Sequence, residues 1–179
     1  MIDSAMVVQL RSTPASAPRP RPSMLHSGYG RSVHFLDIEN LCGTADISRC
    51  DASRTMRAYR RSVRVAPGDH VIIGASHHNL LNAGVEWPEA RVLPPRSGLD
   101  GADEAIREAL HTERITERFD TVILGTGDGG FAPDVARLAG RGARVHIVSR
   151  PGALSPKLRL AAHTVTFLSD NLFSKDNIA

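Results

Sequence analysis

The stretch Thr121-Val122-Ile123-Leu124-Gly125-Thr126-Gly127-Asp128-Gly129-Gly130-Phe131 constrains this chain more than any other. Residues 121–124 form a β-branched, apolar run long enough for a buried strand. The glycines at 125, 127, 129 and 130 then let the backbone turn tightly, and a helical pattern resumes at Phe131. A strand that passes through a Gly-rich turn into a helix is the local unit of open α/β sheets, whose sites lie beyond the carboxyl ends of strands. Asp128 is the charged side chain in that turn, so the function of the chain turns on what a carboxylate does there.

The rest of the chain extends the same pattern. Residues 33–38 read as a first strand ending in Asp37-Ile38-Glu39-Asn40, and Asp46 or Ser48 caps a helix running to about residue 63. A second strand is expected at 70–75, a short helix at 76–83, and a brief third strand at 90–93 closed by Pro94-Pro95. Asp100 or its neighbour opens a helix through about residue 117, with Ala102, Ala105, Ile106, Ala109 and Leu110 on its inner face. After the central strand come a helix at 132–141, a strand at 144–149, a short helix at 155–162 and a last strand at 165–168. Strands alternating with helices across short loops predict a three-layer α/β domain over residues 31–170, with a central, mostly parallel sheet of about five strands. Residues 1–30, rich in Pro, Ser, Ala and Arg and without an apolar period, read as a disordered tail, and 171–179 as a C-terminal tail.

Composition removes several alternatives. No apolar run reaches the roughly 18 residues of a membrane span, and Arg11 and several prolines interrupt any signal-peptide core, so a cytoplasmic location is expected. Cys42 and Cys50 stand without a CxxC or metal-type histidine spacing and read as free thiols. The net charge of +3 resides in the tail: residues 1–32 hold four arginines against Asp3, and the remainder balances 18 basic against 18 acidic side chains. The basic pI is therefore a weak pointer to nucleic acid. Aromatic residues make up only 4%, which argues against a base-stacking platform. One local basic feature remains, because Arg54, Arg57, Arg61 and Arg64 recur at helical spacing. They make a stripe that reads either as a solvated face or as a phosphate-backbone surface.

The acids fall where an α/β fold gathers its site. Asp37 ends the first strand, Asp128 follows the central strand, and Asp103 lies in the first turn of the helix after the third strand, beside Asp100 and Glu104. An acid in a first helical turn often does no more than complement the helix dipole, which suffices for Asp100. Carboxylates at buried strand ends are different, because several together repel unless a cation joins them. Three converging carboxylates with no lysine nearby describe an oxygen-ligand site for Mg²⁺ or Mn²⁺, a metal suited to phosphate chemistry.

These residues also carry a resemblance. Val33-His34-Phe35-Leu36-Asp37-Ile38-Glu39-Asn40-Leu41 resembles the first motif of NYN domains, a branch of the PIN-like nuclease superfamily. Gly101-Ala102-Asp103-Glu104-Ala105-Ile106 resembles their second motif. Leu124-Gly125-Thr126-Gly127-Asp128-Gly129-Gly130-Phe131-Ala132-Pro133 resembles their third, usually a Ser-Gly-Asp-x-Asp-Phe turn, and residues 140–148 resemble the helix end and strand that follow. The resemblance implies a PIN-like fold and metal-dependent hydrolysis of phosphodiester bonds, usually in RNA. Asp37, Asp103 and Asp128 would be the metal-binding acids, Asn40 would orient Asp37 or contact substrate, and Thr126 would bond the site carboxylates or a phosphate. Arg54, Arg57, Arg61 and Arg150 are the candidates for holding RNA. PIN-like domains often pair, so a homodimer is compatible with the resemblance. The chain departs from the pattern at Gly130, which replaces the second Asp of the third motif; Glu39, Asp100 and Glu104 are the acids near enough in sequence to compensate.

Two other readings compete. A PIN-like domain lacking one acid and bearing a basic stripe would bind RNA or a protein partner without cutting. Residues 125–130 also satisfy GxGxxG, the dinucleotide fingerprint, with Arg150 as a reader of a 2′-phosphate. Against the latter, Asp128 would put negative charge where a pyrophosphate should sit, and the motif comes late in the chain. Among the smaller features, Trp87 reads as a packing anchor, and His34, His77, His78, His111, His146 and His163 as scattered rather than as a joint ligand set.

Overall fold

Strand β1 (Ser32–Asp37) is buried from Val33 onward and has a strand on each side. It is followed along the chain by α1 (Ile38–Cys42), α2 (Arg49–Ser62), β2 (His70–Gly74), α3 (Leu80–Val85), β3 (Arg91–Val92), α4 (Gly101–Thr112) and α5 (Ile115–Arg118). Then come β4 (Thr121–Gly125), a 3-10 turn (Gly129–Phe131), α6 (Ala132–Gly140), β5 (Arg144–Ser149), α7 (Pro156–Ala161) and β6 (Thr164–Phe167). These elements belong to a computed structural model that describes residues 30–168 except Ser97 and Leu99. The tails expected over 1–30 and 171–179 lie outside the described residues, Gly30 apart.

The strands form one sheet in the order β3-β2-β1-β4-β5-β6, and all five pairings are parallel. The expected sheet of about five strands has six, with the two-residue β3 and the partly exposed β6 as its edges. Parallel neighbours need crossover helices, and alternating strand residues face two separate helical layers. Val33, Phe35, Val122, Leu124, Val145 and Ile147 pack with Ile106, Leu110, Phe131, Val135 and Leu158 from α4, the 3-10 turn, α6 and α7. Leu36, Val71, Ile73, Ile123 and Val148 pack with Ile38, Leu41, Met56, Tyr59 and Ala83 from α1 to α3. The three-layer α/β architecture follows.

Local signals explain most helix ends. Ser48 and Asp51 form a reciprocal capping box that starts α2. The helix expected through residue 117 instead ends at Thr112, because Arg114 takes a left-handed conformation (φ 52°) and a new turn, α5, begins after it. The helix expected from residue 76 starts at Leu80, since Ser76 to Asn79 form a hydrogen-bonded turn. Among the described residues no helix is long and apolar enough to cross a membrane.

Two features position the site. A Cβ at Gly74 would strike the Ile106 side chain at 2.7 Å, so glycine lets α4 press closely onto the end of β2. In the β1–β4 register Leu36 lies beside Gly125, which brings the next residues, Asp37 and Thr126, side by side.

Candidate metal centre

The cleft opens where the chain order reverses, between β1 and β4. β1 leads to β2 through one helical layer, and β4 leads to β5 through the other. Such a reversal leaves a crevice at the carboxyl ends of the strands. Asp37 is the last residue of β1 and the N-cap of α1: its Oδ1 accepts from the Asn40 amide at 3.1 Å. Its Oδ2 accepts from the Thr126 hydroxyl at 3.0 Å. The same Thr126 oxygen accepts from the Asp128 amide at 3.2 Å, and Asn40 Oδ1 accepts from the Gly127 amide at 2.8 Å. Asp128 in turn caps the 3-10 turn, its Oδ1 accepting from the Gly130 amide at 2.9 Å. The first and third motifs are thus laced together by Asn40 and Thr126.

Asp103 arrives from the third direction, in the first turn of α4, whose inner face (Ala102, Ala105, Ile106, Ala109, Leu110) is buried against the sheet. It is within side-chain hydrogen-bonding reach of both Asp37 and Asp128. Burial pushes the Asp37 carboxyl up to about 6, against the lowering effect of its bonds from Asn40 and Thr126. Burial, and next the negative charge of Asp37, push Asp103 up to about 8. Acids from three distant segments therefore crowd together, and burial with like charge favours the protonated forms of Asp37 and Asp103, the response expected of carboxylates without a cation.

The donor set fits a hard divalent ion. Among the described residues no three His, Cys, Asp or Glu side chains stand ready at metal-ligand geometry. Asp103 lies near both of the other acids, and a dication placed among them would relieve their crowding. Each Asp37 oxygen has accepted one hydrogen bond and keeps further acceptor capacity. The adjoining cleft, about 340 Å³, is lined by Asp37, Asn40, Thr44, Ala45, Asp103 and Arg150.

Residues 101–169 match the family model of the NYN domain. The stretch from α4 to β6 is thus NYN-like. The matched segment contains Asp103 and Asp128, while Asp37, at the end of β1, and Asn40, in α1, precede it. NYN domains belong to the PIN-like nuclease superfamily, and the sheet flanked by two helical layers agrees with a PIN-like fold. A protein of unknown function from Vibrio parahaemolyticus, solved by crystallography, has a similar structure: the identity is 20%, the TM-score is 0.54, and the match covers 83% of this chain and 98% of that one. At that identity the likeness concerns the fold alone. No curated protein matches the chain.

The remaining candidate residues divide by position. Arg150 follows β5 and donates from Nε to the Asn40 carbonyl at 3.0 Å, which fixes it on the rim of the cleft. The arginine stripe behaves differently. As the crossover from β1 to a parallel β2, α2 must run antiparallel to the strands, so its start lies near the cleft and its end near the opposite edge of the sheet. Arg54 pairs with Asp51 in the first turns, Arg57 is exposed, and Arg61 and Arg64 lie beyond Tyr59, which meets His34 near the start of β1.

None of the acids near in sequence supplies a fourth carboxylate. Glu39 borders the cleft, but its Oε1 accepts from the Ser76 amide (2.8 Å) and from Asn79 Nδ2 (2.7 Å), latching the loop after β2. Glu104 is exposed and faces Arg96 at 3.9 Å, and Asp100 is exposed at the helix entry. A residue that the sequence reading passes over stands nearest the gap: a Cβ on Gly130 would fall onto Arg107 Nη2. Its signal was its place four residues after Asp103, hence on the same side of α4.

The GxGxxG turn follows β4 and not β1, although the strand order is that of dinucleotide-binding sheets. Its amides are already engaged: Gly127 donates to Asn40, Gly130 to Asp128, and Phe131 to the Asp128 carbonyl. A pyrophosphate would have to compete with all of these and with the Asp128 carboxylate.

Proposed function

We propose that this chain is a divalent-metal-dependent nuclease that hydrolyses phosphodiester bonds in RNA. The observation that carries the reading is the approach of Asp103 to both Asp37 and Asp128, with burial and like charge that a divalent cation would relieve. These three would hold Mg²⁺ or Mn²⁺. When bound, that ion would polarise the phosphoryl oxygens and lower the pKa of the attacking water. The residues around it hold the geometry: Thr126 and the Asn40 amide fix both oxygens of Asp37, and the Asn40 side chain ties the Gly-rich turn to β1. Arg150, on the rim of the cleft, meets a flanking phosphate, and Arg54 and Arg57 lead the strand toward it. Hydrolysis forms a bond from the water oxygen to phosphorus and breaks the bond to one ribose oxygen, which leaves with a proton. Free Cys42 and Cys50 suit a reducing, cytoplasmic setting.

A second reading, an RNA-binding module without cleavage, is favoured by one observation: a guanidinium occupies the space beside Gly130 that the missing acid would take. The two separate in a single experiment, a calorimetric Mn²⁺ titration of wild type and Asp128→Asn with cleavage of an end-labelled single-stranded RNA followed in parallel. For the nuclease, Asp128→Asn weakens Mn²⁺ binding and slows cleavage by about 10³-fold or more, with the melting temperature retained. Cleavage by Asp128→Asn at the wild-type rate would sink the site assignment, and RNA retention without metal binding or cleavage by wild type would identify a binder.

A further inference from the structure

The space beside Gly130 is filled, and by the opposite charge from the one NYN-type turns place there. A Cβ on Gly130 would overlap Arg107 Nη2 while lying 3.3 and 3.5 Å from the two Asp128 carboxylate oxygens. The guanidinium is held there from behind. Its Cζ lies 5.0 Å from the centre of the Phe131 ring, and its Nε is 3.7 Å from Asp134 Oδ2. Asp134 is itself buried, hydrogen-bonded to His111 Nε2 at 2.5 Å and to Arg137 Nη2 at 3.4 Å. Nε is buried and makes no hydrogen bond among the described residues, whereas the side chain as a whole is 37% exposed. The donors that remain toward the cleft are therefore the terminal nitrogens.

We propose that Arg107 acts as the fixed cation of this site, standing beside Asp128 where a second metal ion would otherwise be held and donating to a non-bridging oxygen of the substrate phosphate. The proposal rests on the nuclease reading. A guanidinium stays charged at every working pH and offers two parallel N–H donors that match a phosphate edge. A missing acid together with an added cation makes the Asp128 side of the site repel a second dication and attract the substrate anion. The site thereby works with one divalent ion. In the reaction Arg107 exchanges no proton: as water oxygen bonds to phosphorus and the bond to the departing ribose oxygen breaks, the guanidinium offsets charge gathering on the equatorial oxygens.

The test uses the full chain with Mn²⁺ as the metal and a short single-stranded RNA, comparing wild type with Arg107→Gln, which removes the guanidinium and its charge but keeps a polar side chain, with Arg107→Lys, and with Arg107→Gln/Gly130→Asp. Wild type and Arg107→Gln are expected to bind one Mn²⁺ each by calorimetry. Arg107→Gln should lose about 100-fold in cleavage and roughly tenfold in RNA affinity measured in EDTA, with Arg107→Lys recovering most of the affinity. The double variant should bind a second Mn²⁺. Two Mn²⁺ ions on wild type, or unchanged EDTA affinity and cleavage in Arg107→Gln, overturns the proposal and leaves the nuclease reading standing. Wild type that neither binds Mn²⁺ nor cuts RNA overturns both.

Discussion

His34 and Asp37 lie three residues apart on β1, both buried, and the fold treats them in opposite ways. His34 finds a partner for each ring nitrogen inside the domain, the Tyr59 hydroxyl at 2.8 Å and Asp69 Oδ2 at 3.4 Å, and burial lowers its pKa. Asp37 also has hydrogen bonds, but its nearest ionisable neighbours are acids, and burial drives it toward protonation. Desolvation acts on both. What separates them is complementarity: the group at the amino end of the strand is completed by the protein, and the group at the carboxyl end awaits something the protein does not contain. A buried polar group completed from within is architecture, and one surrounded by its own kind is a site.

Substitution at the two positions should therefore move activity and stability in opposite senses. Asp37→Asn is expected to reduce RNA cleavage by about 10³-fold or more while raising the metal-free melting temperature by a few degrees, because a repelling charge is gone. His34→Ala should cost about 2–4 kcal/mol in urea unfolding, since it leaves the Tyr59 hydroxyl without its partner and takes one donor from Asp69 next to a new cavity, with kcat of the surviving folded protein within about twofold of wild type. A destabilised Asp37→Asn, or an inactive but fully stable His34→Ala, would erase the contrast.

pH sharpens it. A carboxyl raised by burial favours the protonated form of the folded state. Its stabilisation is complete below the ordinary aspartate value and is lost as pH climbs through about 6 for Asp37 and about 8 for Asp103. The histidines His34 and His146, whose pKa values burial lowers, pull the other way near pH 6, so wild type is best compared with Asp103→Asn. In EDTA, the variant's advantage in melting temperature should grow from near zero at pH 5 to roughly 5 °C at pH 8.5. Excess Mn²⁺ should reverse its sign by stabilising wild type. A gap that stays constant with pH would mean that burial does not favour the protonated acids.

The smallest effect concerns the arginines. Arg57→Ala with Arg61→Ala should weaken RNA binding less than about threefold in 0.1 M salt, whereas Arg150→Ala should cost roughly tenfold, as read by fluorescence anisotropy. The reverse ranking would move the RNA path from the cleft to the outer face of α2.

Much of this arrangement was legible in the sequence, for local reasons. Strand-ending Asp37, helix-opening Asp103 and Asp128 in its Gly-rich turn each announce themselves within a few residues, and the alternation of elements implies that strand ends collect on one edge. What stayed hidden is relational. Periodicity shows that Arg54, Arg57 and Arg61 share a face of α2 but not that the helix carries Arg61 away from the cleft. The bond from the Gly127 amide to Asn40 spans 87 residues and has no local signature. Arg107 looks like any solvated helix arginine until Gly130 is seen to make room for it. The break at Arg114 was missed because nothing but its left-handed backbone marks the helix end.

The lacing of the strand ends also sets a time of assembly. Asp37 meets Thr126 across 89 residues, and the Asn40 carbonyl meets Arg150 across 110. A ribosome delivers β1 early, yet this central strand lacks one of its lateral partners until β4 has emerged, and the rim of the cleft is absent until residue 150 is free. A half-made chain thus carries the acids as separate, well-hydrated side chains with no common centre. On the proposed reading, RNA is safe from the protein while the protein is being made, and the template from which it is read would be the first molecule to benefit.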